Sequence, residues 1–117
     1  MTDLAIAHVT VDCADAAALA TFYSALLELP VDPDPTPFFA TVGRAAGARP
    51  VLMFIQVPDR TPGKNSIHLD LHSADLPGAV ARAVGLGAKQ VADFAEYGAV
   101  WTTLSDPEGN LFDIGAS

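Results

Sequence analysis

Residues 6–31 of this chain recur later in the same chain. His8-Val-Thr-Val11, followed by Ala14-Asp15, returns as His68-Leu-Asp-Leu71, followed by Ala74-Asp75, and His8 to His68 and Asp15 to Asp75 give one constant offset of 60 residues. Carried on without a gap, the offset sets Leu26 against Leu86 and Val31 against Val91. A repeat of this length means one supersecondary unit used twice, each copy covering apolar surface the other leaves exposed. It also sets two histidines at equivalent points of two equivalent units.

Each copy opens with period-two alternation, the pattern of a strand with one apolar and one polar face. Ala7, Val9, Val11 and Cys13 share one face, and Ile6, His8, Thr10 and Asp12 the other. In the second copy Ile67, Leu69 and Leu71 oppose His68, Asp70 and His72. A helix follows in each, with Asp15 and Asp75 as N-caps. The apolar stripes are Leu19, Phe22, Tyr23, Leu26 and Leu27 in the first helix and Leu76, Val80, Ala83 and Val84 in the second, with Pro30 and Gly87 as terminators. Laying those stripes on the Val9/Val11 and Leu69/Leu71 faces leaves the histidine faces pointing away from the helices. Three further strands complete each copy: 31–34, 38–42 and 51–57, then 89–94, 100–105 and 111–114. Asp106-Pro-Glu-Gly109 has the residue order of a type I turn. The expected fold is α+β, two βαβββ modules (4–57 and 66–115) joined by a linker at 58–65 within one domain, 1–117. Curved mixed sheets would form a cleft, with the helices on the outer face.

At 117 residues and 50% hydrophobic content, the chain can bury a core without staples. Its net charge of −8 opposes binding to nucleic acid or anionic lipid and suits a neutral or cationic small ligand. The same surplus of carboxylates also serves solubility alone. Cys13 is the sole cysteine, so no disulfide forms within the chain, which fits a reducing cytoplasm. No signal peptide or membrane helix is read in the sequence, and the expectation is a cytoplasmic protein.

The polar strand face carries the chemistry. In Leu111-Phe-Asp-Ile114, Phe112 and Ile114 take the apolar face, so Asp113 points with His8 and His68. Two histidines and a carboxylate on rigid strands suit a divalent transition metal such as Fe, Mn or Zn. Each histidine has a second reading, as a hydrogen-bonded residue of a half-buried strand. Trp101 either stacks on a ligand or fills the sheet, and His72 belongs to a solvated rim. Ser24, Ser66 and Ser105 lack a nucleophile context, and Gly85-Leu-Gly87 is a helix end rather than a phosphate loop.

Four segments resemble the vicinal oxygen chelate superfamily, which includes glyoxalase I, extradiol dioxygenases and bleomycin-resistance proteins. They are His8-Val-Thr-Val-Asp-Cys-Ala-Asp15, Phe22-Tyr-Ser-Ala-Leu-Leu27, Gly63-Lys-Asn-Ser-Ile-His-Leu-Asp-Leu71 and Asp106-Pro-Glu-Gly-Asn-Leu-Phe-Asp113. The chain looks most similar to the small glyoxalase-like members. The resemblance implies paired βαβββ modules and a metal (Fe, Mn, Ni or Zn) on His8, His68 and Asp113, with Asp113 where a glutamate is usual. It places the fourth ligand slot near Ile55-Gln56, one place away from a usual glutamine. No catalytic base is identified. The first functional expectation is a metal-dependent lyase, isomerase or dioxygenase acting on a small oxygen-bearing substrate. The alternative is a metal-free protein that sequesters an antibiotic of bleomycin type. Gln56, Trp101, Phe39 and Asp70 are the expected substrate contacts, and a homodimer is expected in either case.

Overall fold

The computed structural model describes residues 5–58 and 67–117. These fall into two compact units, divided after Arg60. Of the expected linker at 58–65 only Pro58 is described, and Gly63–Ser66 of the third resembling segment likewise lie outside the described residues. No helix among the described residues is long and apolar enough to cross a membrane.

The first unit holds strand β1 (His8–Cys13), helix α1 (Ala16–Leu27), β2 (Phe39–Val42) and β3 (Val51–Gln56). Its sheet runs β1-β3-β2, with β1 and β3 parallel and β2 and β3 antiparallel. The alternation in β1 holds: His8, Thr10 and Asp12 are exposed, and Cys13 is buried. Helix α1 buries Leu19, Phe22, Tyr23 and Leu26 together with Ala16 and Ala20. The Tyr23 ring stacks on Phe54 of β3 with centroids 5.6 Å apart. Asp15 caps the helix, accepting a hydrogen bond from the Ala18 amide at 3.1 Å. The helix stops before Pro30, because Glu28 takes a left-handed conformation (φ 55°) and the Leu29 amide turns back to the Ser24 carbonyl.

The strand expected at 31–34 reduces to one bridge, Val31 to Val42. Pro33 has no amide for a ladder, and Asp34 has φ 66°. Asp32 turns its side chain inward, where it is buried and accepts from the Thr41 hydroxyl and the Arg44 and Ala45 amides. The segment thus serves as a support for the loop after β2.

The second unit is the complete βαβββ element: β4 (Leu69–Ser73), α2 (Leu76–Leu86), β5 (Lys89–Glu96), β6 (Ala99–Ser105) and β7 (Leu111–Ala116). The sheet order is β4-β7-β6-β5, with β4 and β7 parallel and the other pairs antiparallel. Asp75 caps α2 through the Gly78 amide, and Gly87 (φ 122°) closes it. Val80 and Ala83 of the helix and Leu104, Phe112 and Ile114 of the sheet are buried. Val84, expected in the stripe, is 45% exposed. Each helical residue advances roughly 100°, so Val84 lands at the rim once Ala83 faces inward. The Asp106 turn forms as expected, and the buried Asp106 carboxylate braces it by accepting from the Glu108 and Asn110 amides and the Asn110 side chain.

Strands β5 and β6 meet in a tight hairpin with Glu96 opposite Ala99. Both central residues have positive φ, Tyr97 at 54° and Gly98 at 74°. That geometry matches strand twist but favours Asn or Gly at the first position. Tyr97 is 98% exposed, so little contact is lost by changing it. Tyr97→Asn is therefore expected to stabilise the protein by about 0.5–1 kcal/mol and raise Tm by a few degrees, as read by thermal unfolding followed by circular dichroism.

Candidate functional site

With helix α2 covering one face of the second sheet, the other face is left to polar and aromatic side chains. Parallel pairing of β4 and β7 sets Asp70 directly opposite Asp113. His68, just before β4, joins them: its Nδ1 lies 3.1 Å from Asp70 Oδ1 and 3.7 Å from Asp113 Oδ2. One donor atom from each of His68, Asp70 and Asp113 can be chosen so that all lie within 4.8 Å of one another. This is the one such group of three among the described residues.

Asp113 is the anchored member. Its side chain is 19% exposed, against 40% for His68 and 69% for Asp70. The cross-strand neighbour Thr103 donates its hydroxyl to Asp113 Oδ1 at 2.6 Å. That bond fixes the carboxylate and leaves Oδ2 as the oxygen turned towards His68. One nitrogen and two carboxylate oxygens form a hard-to-borderline donor set, compatible with Mn, Fe, Ni or Zn. The donors present fit a divalent cation in kind and spacing.

A pocket of about 440 Å³ opens beside this cluster, within the range of small-ligand sites. His68, Thr103 and Asp113 line one part, and Val91, Phe94 and Trp101 another. Phe94 and Trp101 are cross-strand partners whose rings stack at 5.2 Å with an 18° interplanar angle. Trp101 is thus both a sheet residue and a pocket wall. Val91 reaches the pocket through a register shift between Gln90 and Ala92, which leaves it as the extra residue of β5.

The other expected site residues lie in the first unit. His8 Nε2 is 3.0 Å from the Arg44 guanidinium. Arginine only donates, so Nε2 accepts and the ring proton sits on Nδ1. Gln56 donates its side-chain amide to the Ala14 carbonyl at 2.9 Å. Phe39 is 44% exposed at the start of β2. The structure brings together His68, Asp70 and Asp113, with Trp101 in the adjoining pocket.

Sequence reasoning missed Thr103, Phe94 and Glu96, which also lines the pocket. The hairpin carried the signal. Once Tyr97-Gly98 is taken as a two-residue turn, Phe94 falls opposite Trp101 and shares its face.

The chain belongs to the glyoxalase-like domain family, whose pattern matches residues 8–115. Solved structures agree on the fold. A glyoxalase/bleomycin resistance protein/dioxygenase family enzyme from Burkholderia phytofirmans superposes with a TM-score of 0.79 at 19% identity, covering 95% of this chain and 97% of that one. A superfamily member from Sphaerobacter thermophilus gives a TM-score of 0.72 at 22% identity, covering 97% and 98%. A lactoylglutathione lyase from Agrobacterium tumefaciens gives 0.68 at 17% identity, covering 97% and 93%. No curated protein matches the sequence.

Proposed function

We propose that this chain is a metal-dependent glyoxalase-like enzyme, a lyase, isomerase or dioxygenase. In this reading His68, Asp70 and Asp113 hold one divalent cation, and a small oxygen-bearing substrate binds beside it. The observation that carries the reading is the close gathering of three donor atoms at the edge of a ligand-sized pocket. Taken alone, an exposed His–Asp pair is a weak surface contact. The hydroxyl bond from Thr103 to Asp113 argues for more, because bracing of a ligating carboxylate by a neighbouring donor is how metal sites hold their ligands in place.

A cation there would supply Lewis acidity, polarising a substrate oxygen. The chain's own residues do the rest. Thr103 holds Asp113 in one orientation, His68 presents Nδ1 to both carboxylates, and Trp101 with Phe94 walls the substrate body on one side. Asp70 moves in this proposal from substrate contact to metal donor. His8 keeps its proposed ligand role on the resemblance alone, and Arg44 would first have to leave its Nε2.

Calorimetric titration of chelator-treated, tag-free protein with Mn, Ni and Zn salts tests the reading. About one equivalent should bind, and a His68→Ala variant with unchanged circular dichroism should lose it. Identical heats in wild type and variant would refute the assignment.

A further inference from the structure

We infer that Glu96 selects the ligand by its charge: the pocket takes an aromatic or flat apolar molecule bearing a cationic group at the end remote from His68 and Asp113. The inference rests on the pocket proposed above but concerns its opposite end. Along β5 the side chains of Ala92, Phe94 and Glu96 fall on one face, with Ala92 paired to Thr103 and Phe94 to Trp101. Thr103 in turn is paired to Asp113. Strand rise sets Glu96 about 13 Å along from the Ala92–Thr103–Asp113 row, with the Phe94–Trp101 pair midway.

The pocket therefore has three zones in a fixed order. Donor groups stand at one end, two stacked rings in the middle, and a single carboxylate at the other end. Among the described residues no lysine or arginine lines it, so none of them neutralises Glu96. Aromatic faces and a carboxylate both attract cations, and both repel an anionic tail. A metal on the donor trio would offset the charge of Asp70 and Asp113 but leaves that of Glu96 unanswered. With a metal bound the cation preference thus belongs to the Glu96 end. Without one Asp70 and Asp113 attract cations too, and the Glu96 variants measured with Mn(II) isolate the share of Glu96.

The chain contains one tryptophan, Trp101, so its fluorescence reports on this pocket alone. The test titrates wild-type protein, Glu96→Gln and Glu96→Lys with three matched probes: 4-phenylbutylamine, 4-phenylbutanol and 4-phenylbutyrate. Each series is run with chelator and again with Mn(II). The amine should bind wild type several-fold more tightly than the alcohol, and the acid most weakly. Glu96→Gln should weaken the amine about three- to tenfold and leave the alcohol unchanged, and Glu96→Lys should reverse the order of amine and acid. Glu96 is exposed on a strand end, so neither substitution threatens folding.

Equal affinity for the three probes, an unchanged order in Glu96→Lys, or no fluorescence response up to ~10 mM would overturn the inference. Failure of the metal reading looks different. There the amine preference persists with chelator while Mn(II) does not bind. If Mn(II) binds but the probes are not discriminated, only the inference about Glu96 fails.

Discussion

Asp113→Asn is expected to lower divalent-metal affinity about 100-fold or more while leaving the fold intact. Asn keeps the shape of Asp and keeps a carbonyl oxygen to accept the Thr103 hydroxyl, which lies 2.6 Å from Oδ1 in the native protein. It replaces Oδ2, the oxygen facing His68, with an amide that donates and carries no charge. The free energy of unfolding should therefore change by less than about 1 kcal/mol, because Asp113 sits at the pocket edge rather than in the core. Thr103→Val isolates the bracing bond. It preserves strand propensity and volume but frees the carboxylate to rotate, and should cost about tenfold in metal affinity. The pair of variants separates ligation from packing: the first acts through the donor atom, the second only through its orientation. Calorimetry with Mn or Ni reads both. Wild-type affinity in Asp113→Asn would show that these residues form only a surface ion pair, and the metal-dependent reading would fall.

How far the sequence revealed this site follows from which interactions are local. Caps and turns are local, so Asp15, Asp75 and the Asp106 turn could be read from the spacing of polar and small residues. The offset between His8 and His68 gave the doubled architecture, because period-two faces in repeated strands must be used the same way twice. Asp113 could be assigned to the polar face from its neighbours Phe112 and Ile114. Its partners were a different matter. Thr103 comes from another strand, and its contact with Asp113 depends on register. That register is set by a turn whose first residue is Tyr97, which lacks the Asn or Gly that would announce it. The register shift that brings Val91 to the pocket leaves no residue-type signature in Gln90-Val91-Ala92 either. Asp70 was on the right face in the sequence, but its closeness to Asp113 needed the parallel pairing of β4 with β7.

Asp32 shows the same limit in the first unit, and it carries the largest expected effect on stability. The sequence placed it in a strand, yet its three partners, the Thr41 hydroxyl and the Arg44 and Ala45 amides, lie beyond the turn that follows. Asp32→Ala strips all three of an acceptor in a buried setting and should cost roughly 3 kcal/mol. For a domain of this size that lowers Tm by about 12 °C. Asp32→Asn retains an acceptor but loses the charge, and should cost less. Acid sensitivity follows from the same contacts. Burial pushes the Asp32 carboxyl up, but the Thr41 hydroxyl, the Ala45 and Arg44 amides and the Arg44 charge outweigh it and hold it below its ordinary value. A carboxyl lowered on folding contributes its full stability above the unfolded value, near pH 3.9, and loses it as pH falls through the lower folded value. The stability gap between wild type and Asp32→Asn should therefore stay constant from pH 7 to about pH 5 and shrink in more acidic solution. Urea unfolding across that range measures the gap directly. A gap that widened in acid would mean that burial, not the hydrogen bonds, governs this carboxyl, and that Asp32 is held at a cost to the fold.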